Sequence, residues 1–314
     1  MGLFKSKLPS PKTRQALAFR CLQGIAIGDA FGESFFGERE TILQHIQARK
    51  VPPTLWEFTD DTVMAIAVYQ QMALSGTIDQ DALAKSFARN HSLDTNRGYG
   101  ATARRLLREI GEGGDWRAIA SSAFEGMGSL GNGAAMRVGP IGAYFFDDLD
   151  RVMELAMASA EVTHAHPEGI AGAMAIALGT ALAAQLGQSG KRMAPSEFIE
   201  AVAAPLPDTD TRARIRKSLA VPPTYRMETV VQVLGNGVEV SAPDTVPLAI
   251  WCAAHHLADF EEGLWTTVSA LGDRDTLCAM VGGMLTMSAP PTTVPEKWQA
   301  SVEKVEQSDF WVGV

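Results

Sequence analysis

Two short strings concentrate the side chains able to do chemistry. The first, Thr59-Asp60-Asp61-Thr62, runs directly into the apolar Val63-Met64-Ala65-Ile66-Ala67; the second, Asp273-Arg274-Asp275-Thr276, runs into Leu277-Cys278-Ala279-Met280-Val281. Hard divalent cations take oxygen ligands, and two carboxylates plus a threonine hydroxyl at each string would supply five or six of them if the fold brings the strings together. That number suits a pair of ions about 3.5 to 4 Å apart. Each string alone also fits a well-capped helix, because Ser, Thr and Asp are favoured caps and acids in the first turn are stabilised by the macrodipole. A cap needs only one acid, however, and close aspartates repel one another. The doubling at both strings therefore favours a bound cation that offsets the charge.

Weaker candidates lie between the two strings. Gly24, Gly28 and Gly32 fall four residues apart on one helix face, a pattern that lets another backbone approach closely. Asp29 and Glu33 share a side of the same helix and fit a polar cavity as well as they fit solvated surface. Two Gly-Asn-Gly strings, 131–133 before Ala134-Ala135-Met136-Arg137 and 235–237 before Val238-Glu239-Val240, expose backbone N–H groups at turns. Such loops can cradle phosphate oxygens, to which Arg137 would add a bidentate contact, although Asn-Gly is also a common tight-turn dipeptide. Asp94 to Gly100 offers a carboxylate, a guanidinium and an aromatic ring within seven residues. His164-Ala165-His166 lacks a third soft ligand at a spacing zinc would use, and His255-His256 sits in an apolar helix where a core role is expected.

These groups must be positioned by helices, because helical spacing dominates and strand alternation is hard to find. Ala18, Cys21, Leu22 and Ile25 repeat at i, i+3, i+4, i+7, as do Met64, Ala67, Val68 and Gln71, and Val152, Leu155, Ala156 and Ser159. Further helices are expected over 100–110, 168–186, 196–203, 209–219, 276–287 and 246–257, the last with Pro247 in its first turn. Gly- and Pro-rich breaks separate them, none long enough to be an interdomain linker. The expected organisation is an N-terminal segment 1–12, one all-α domain over 13–290, and a polar C-terminal helix and tail over 291–314.

Composition sets outer limits. The chain has 314 residues with 27 Lys and Arg against 36 Asp and Glu, a formal charge of −9, so it lacks the basic surplus that non-specific nucleic-acid binding requires. At 46% hydrophobic residues it can bury a large core, which excludes a disordered chain. Cys21, Cys252 and Cys278 form no Cys-x-x-Cys pair and lie in apolar surroundings; a reducing, cytoplasmic location is expected. Four cationic residues precede Gln15 without an apolar run behind them, so no secretory signal is expected. Residues 169–190 carry no charge and have the length of a bilayer span, but their Ala and Gly content and Gln185, Gln188 and Ser189 favour a buried helix over a membrane one.

Taken in order, the strings resemble the ADP-ribosylglycohydrolase family from Gly24 to about Gly283. Gly28-Asp29-Ala30-Phe31-Gly32 is similar to the family's opening string, and Thr59-Asp60-Asp61-Thr62 to its first metal string. Arg97-Gly98-Tyr99-Gly100 is similar to its Gly-Tyr-Gly segment, and residues 131–137 to its ligand loop. Residues 163–167 and 241–248 follow, before Asp273-Arg274-Asp275-Thr276 as the closing Asp-x-Asp-Thr metal string. The resemblance implies a compact single-domain helical bundle with a binuclear magnesium or manganese centre at the bottom of a cleft that receives ADP-ribose. By position, Thr59, Asp60, Asp61, Asp273, Asp275 and Thr276 would ligate the two ions. Asp94 and His166 would lie near the distal ribose or the phosphates, and Gly98, Tyr99, Gly100, Asn132, Gly133, Met136 and Arg137 would line the substrate. Two positions depart from the family pattern: Phe36 stands where a glutamate is frequent, flanked by Glu33 and Glu38, and Arg274 stands where a small or neutral residue is usual.

The implied activity is metal-dependent hydrolysis of the glycosidic bond at the distal ribose, with an ADP-ribosylated protein as partner and arginine as the expected acceptor. Asp60 or Asp61 would take the proton of the attacking water, with Glu33 in a supporting acid–base role. ADP-ribosyl-serine, O-acetyl-ADP-ribose or another ADP-ribose derivative is the alternative substrate within the same scaffold. A catalytically inactive binding relative is the alternative outside it. No nucleic-acid or membrane partner is expected.

Overall fold

The computed structural model describes residues 9–53 and 55–313. Of the expected N-terminal segment, residues 1–8 lie outside the described residues, as does Val314. The described chain forms α1 (Pro11–Glu33), α2 (Arg39–Gln47), α3 (Asp60–Ser75), α4 (Gln80–Leu93), α5 (Ala101–Gly111), α6 (Trp116–Ser122), α7 (Gly139–Tyr144), α8 (Leu149–Glu161), α9 (Pro167–Ser189), α10 (Pro195–Ala203), α11 (Asp210–Lys217), α12 (Met227–Leu234), α13 (Ala242–His255), α14 (Phe260–Val268), α15 (Arg274–Ser288) and α16 (Glu296–Ser301). Among the described residues there is no strand, only two isolated bridges, Trp56 with Val302 and Gly131 with Ser241. The protein is all-α, as its spacing predicts.

The centre of the bundle is the pair α1 and α15, which lie closer than ordinary side chains would permit. Gly24, Gly28 and Gly32 face Gly282, Cys278 and Arg274 in turn, and a β-carbon placed on Gly28 would collide with the Cys278 carbonyl. The obstacle is backbone, which cannot swing aside, so this stripe sets the separation of the two helices. Asp29 on α1 and Asp273-Arg274-Asp275 at the start of α15 are thereby brought side by side.

α9 packs against α7, α8, α13 and α15. Its 23 residues are long and apolar enough to cross a membrane, yet the apolar window is 83% buried inside the bundle, so the helix serves as the core member its Ala- and Gly-rich composition suggests. Most expected helices agree with those observed to within a few residues. α13 is the exception, because it starts at Ala242 with Pro243 in its first turn, and Pro247 falls inside the helix. Pro247 removes one backbone donor, a loss the helix tolerates because nearly all of its residues are buried in the surrounding bundle.

α2, α4, α6, α7, α12 and α14 are additional to the expected set. α7 has only six residues and α6 seven, too short for periodicity to mark. α4, by contrast, is marked by the Asp79 cap and the spacing of Leu83, Phe87 and His91.

The C-terminal residues pack onto the body. Trp298 of α16 stacks on Phe31 at 4.4 Å between ring centroids and lies edge-on to Trp56 and Trp265, each at 5.9 Å. Three of the six tryptophans thus meet in one cluster that joins the end of α1, the 56–58 segment and α14. Beyond α16 the chain pairs with the segment leading into α3: Trp56 donates its N–H to the Ser301 carbonyl at 2.8 Å, and Glu303 donates to the Trp56 carbonyl at 3.0 Å.

Candidate active site

The site forms where the N-termini of α3 and α15 converge. Thr59 caps α3, so Asp60 and Asp61 occupy its first turn, and Asp273 precedes α15 with Asp275 in its first turn. Both helices direct the positive ends of their dipoles at the cluster, which partly offsets its charge. The two strings touch directly, since the Thr276 hydroxyl donates to Asp61 Oδ2 at 3.3 Å.

Asp29 is the bolt behind them. Its carboxylate is fully buried and accepts from the Thr59 N–H at 2.9 Å, the Thr59 hydroxyl at 2.8 Å, the Thr62 N–H at 3.1 Å and the Thr62 hydroxyl at 2.6 Å. The polar-cavity reading of Asp29 holds, and its partners fix the first turn of α3. On the α15 side, Asn132 donates its amide to Asp273 Oδ2 at 2.6 Å and to the Thr245 hydroxyl at 3.0 Å. Asn236 carries the backbone beneath, because its carbonyl accepts the Asp273 N–H at 3.0 Å and its side chain donates to the Ala270 carbonyl at 2.9 Å. The Gly235-Asn236-Gly237 string is therefore a buttress for Asp273, and it makes its tight turn with φ of 85° at Gly235 and 83° at Gly237.

Five aspartates share this volume, and their electrostatics are strained. Burial pushes the Asp29 carboxyl up to about 7, helped by Asp275 and opposed by the Thr62 and Thr59 donors. Burial and then Asp275 raise Asp273 to about 7, while Asn132 works to lower it. Burial followed by the neighbouring aspartates holds Asp60 and Asp61 well above the usual carboxylate range.

Among the described residues, no three carboxylate, histidine or cysteine side chains already close around a single ion. The fit to cations comes instead from buried oxygens without partners. Asp61 Oδ1 and Asp275 Oδ1 have no hydrogen bond, although both are buried. Native structures rarely leave such atoms unsatisfied, and hard oxygen donors of this kind suit magnesium or manganese.

In front of the cluster opens a cleft of about 280 Å³ lined by Glu33, Glu57, Phe58, Thr59, Asp94, Asn96, Arg97 and Gly98. Glu33 sits on this cleft, its carboxyl raised to about 7 by partial burial and by Asp275, with Arg274 opposing. Glu38 instead caps α2 by accepting from the N–H groups of Glu40 and Thr41, so Glu33 is the glutamate that faces the cleft. Arg274 turns away from the aspartates: it donates to the Phe35 carbonyl at 2.8 Å and lies 4.3 Å over the Phe36 ring. It thereby fastens the α1–α2 turn.

Several expected substrate contacts lie elsewhere. Arg137 is completely buried; it donates to the Ser159 carbonyl at 2.7 Å and the Thr163 hydroxyl at 2.8 Å, with Phe87 4.4 Å from its guanidinium. Its fork is turned into the core, away from the residues that line the cleft. Asn132 is 3% exposed and donates to Asp273, so in this structure it supports the cluster. Tyr99 is buried with its ring edge-on to His91 at 4.9 Å, and Met136 is buried as well. Gly133 lies against His164, Gly100 caps α5, and His166 caps α9 by accepting the Glu168 N–H at 3.1 Å. Asp94 and Gly98 remain at the cleft, where a β-carbon on Gly98 would stand 3.3 Å from Asp60 Oδ1. Glu57 is a cleft residue that the sequence does not mark, because a single exposed acid has no distinguishing pattern.

An all-α bundle that gathers aspartates from two helix starts into one cleft defines a class, and comparison with known proteins identifies it. The family model described as ADP-ribosylglycohydrolase matches residues 10–311. ADP-ribosylhydrolase ARH3 of Homo sapiens is 30% identical over 330 residues, covering 92% of this chain and 90% of that protein. The ADP-ribosyl-[dinitrogen reductase] glycohydrolase of Rhodospirillum rubrum is 31% identical over 155 residues, 46% of this chain and 50% of its own. A solved structure described as an ADP-ribosylglycohydrolase-related protein complex superposes with a TM-score of 0.63 at 22% identity, covering 93% of this chain and 94% of that one, and so shares the fold. The chain belongs to the ADP-ribosylglycohydrolase family, hydrolases that act on ADP-ribosylated substrates.

Proposed function

We propose that this protein hydrolyses the glycosidic bond between ADP-ribose and an acceptor side chain with the help of two divalent ions, magnesium or manganese. The observation that carries this reading is the pair of partnerless buried oxygens, Asp61 Oδ1 and Asp275 Oδ1, in a cluster of aspartates that opens onto a cleft. Thr59, Asp60, Asp61, Asp273, Asp275 and Thr276 would hold the ions. When bound, such ions would lower the pKa of a water and orient the substrate.

The reaction passes through an oxocarbenium-like state, so it needs a base on one face of the ribose and an acid on the other. Asp60 and Asp61, fixed by the Thr59 cap and Asp29, would accept the proton of the attacking water. Glu33, on the cleft wall and raised to about 7, is partly protonated at neutral pH and could pass that proton to the departing group. Asp29, Asn132 and Asn236 orient the acids.

The charge of the cleft supports arginine as the acceptor. Glu57 and Asp94 line it together with a partly ionised Glu33, while the cation among its lining residues, Arg97, is already paired with Asp94 and Glu303. An ADP-ribosylated guanidinium is cationic and suits such a wall better than a neutral serine ether or acetyl ester does. The three cysteines are free and buried, which supports a reducing, cytoplasmic setting.

The test is release of ADP-ribose from substrates modified at arginine, at serine and as O-acetyl-ADP-ribose, with manganese, with magnesium and with chelator. Turnover of the arginine substrate that chelator abolishes, and that Asp61→Asn or Asp275→Asn abolishes in a folded protein, is the expected result. Undiminished turnover in chelator would refute the two-ion mechanism. Preference for the serine or acetyl substrate would refute the choice of acceptor.

A further inference from the structure

Arg97 links the cleft to the C-terminal segment through a connection that the family activity does not itself require. Its guanidinium makes a two-pronged pair with Glu303, Nη1 to Oε2 at 2.7 Å and Nη2 to Oε1 at 3.1 Å. The same group donates through Nε to Asp94 Oδ2 at 2.9 Å and through Nη1 to the Phe58 carbonyl at 2.9 Å. It lies against the rings of Phe58 and Phe310, at 5.0 and 5.3 Å from their centroids, which are themselves 6.3 Å apart. On the main chain, the Arg97 carbonyl accepts the N–H of Asp60 at 2.6 Å. One residue therefore sets the 94–98 loop, the approach to α3 and the backbone of an acid in the cluster.

Glu303 in turn is held by the pairing of residues 301–303 with Trp56 and, upstream, by Trp298 in the aromatic cluster. Only a carboxylate at this place matches the guanidinium fork at both ends, and the pair is largely shielded, with side-chain exposures of 16% and 21%. Without Glu303, Arg97 keeps Asp94 as its sole anionic partner and the Phe58 carbonyl as its remaining main-chain acceptor.

We propose that Glu303 is a positioning residue for substrate: acting through Arg97, the C-terminal segment holds Asp94 and the Gly98 turn in the arrangement that binds the ADP-ribosyl group. The proposal builds on the hydrolase reading above. It predicts that a segment about two hundred residues from the 94–98 loop in sequence governs affinity more than the chemical step.

The experiment compares wild type, Glu303→Gln and Glu303→Ala with Asp94→Asn and the double variant Asp94→Asn/Glu303→Gln. It measures the Kd of free ADP-ribose by calorimetry, KM and kcat on the best substrate, the melting temperature, and amide exchange over residues 94–100. Gln keeps one acceptor, so Glu303→Gln should raise Kd and KM about tenfold with kcat changed less than about threefold, and Ala should raise them further. Loop exchange should quicken in both, and in the Asp94→Asn background Glu303→Gln should add less than about twofold, since both act through Arg97.

Wild-type Kd and loop exchange in Glu303→Gln would overturn the proposal, as would a loss confined to kcat or full additivity with Asp94→Asn. If the Glu303 variants fail to fold, Arg97→Lys keeps the cation without the fork and must give the same split. A wild-type enzyme that turns over none of the substrates would defeat the hydrolase reading alone, because Kd for ADP-ribose and loop exchange still decide the role of Glu303.

Discussion

Replacing Asp29 by asparagine separates what this carboxylate contributes by hydrogen bonding from what it costs by charge. Three of the four donors, the N–H and hydroxyl of Thr62 and the N–H of Thr59, converge on Oδ2. An asparagine carbonyl in that place keeps all three. Its amide would then face the Thr59 hydroxyl, which can accept instead and turn its own proton toward Asp61 Oδ2, 3.1 Å away. The hydrogen bonds survive the exchange and the buried negative charge does not.

The sign follows from linkage. The Asp29 carboxyl rises from 3.8 to about 7 on folding, so between those values the native state keeps a proton that the unfolded chain has lost. Wild-type stability without metal should therefore fall as pH rises through that window and level off above it. At roughly 1.36 kcal/mol per pH unit, the full rise is worth at most about 4 kcal/mol. At roughly 2 °C per kcal/mol for a domain of this size, that is about 8 °C of melting temperature. In chelator, Asp29→Asn should melt together with wild type near pH 4 and up to about 8 °C above it near pH 8. With manganese present the gap should close, because ions offset the charge that the mutation removes. The assay is thermal melting by circular dichroism across that pH range, with and without the metal. A difference between the two proteins that does not vary with pH, or a variant less stable than wild type at pH 8, would refute the reasoning.

Three further outcomes are expected. Asn132→Ala removes the amide that orients Asp273, and should weaken manganese binding about 10- to 100-fold with little change in melting; an unchanged calorimetric titration would contradict this role. Gly28→Ala places a methyl against the Cys278 carbonyl and should cost about 3 kcal/mol or more, while also weakening metal binding because Asp29 and Asp275 ride on the two helices forced apart. A variant that melts as wild type does would show that α1 and α15 have more room than their geometry indicates. Trp298→Ala empties the centre of the aromatic cluster and should cost about 3 to 5 kcal/mol in denaturant unfolding, so a loss below about 1 kcal/mol would place the C-terminal segment outside the folding unit.

Much of the fold was legible because its signals are local. Apolar spacing marks α1, α3 and α8, the uncharged run marks α9, and the glycine stripe of α1 announces a close neighbour without naming it. The doubled acids stand out for the same reason: Asp60 beside Asp61, and Asp273 near Asp275, carry more charge than helix caps need, and the fold brings both pairs together. The start of α13 at Ala242 is not legible, because Pro247 resembles a first-turn proline, and only the burial of the whole helix explains its tolerance there. Arg137 and Asn132 are less legible, because a Gly-Asn-Gly string with a nearby arginine reads like a phosphate loop whichever way it faces. In the folded chain that string points inward.

The sequence by itself determined the helical class, the family and the identity of the acids, all of which follow from residue type and spacing over a few turns. The tertiary structure decided how those acids are used. It placed Asp29 behind α3, Asn132 and Asn236 behind Asp273, Glu33 rather than Glu38 on the cleft, and Arg274 against the α1–α2 turn. It also drew Glu303 across some two hundred residues of chain to Arg97. The physical reason is that a carboxylate or guanidinium carries the same charge wherever it falls in the chain. Its protonation, partners and direction depend on which backbone donors and charges packing brings near it, and here that packing is set by the close approach of α1 to α15 and by the aromatic cluster anchoring the C-terminal segment.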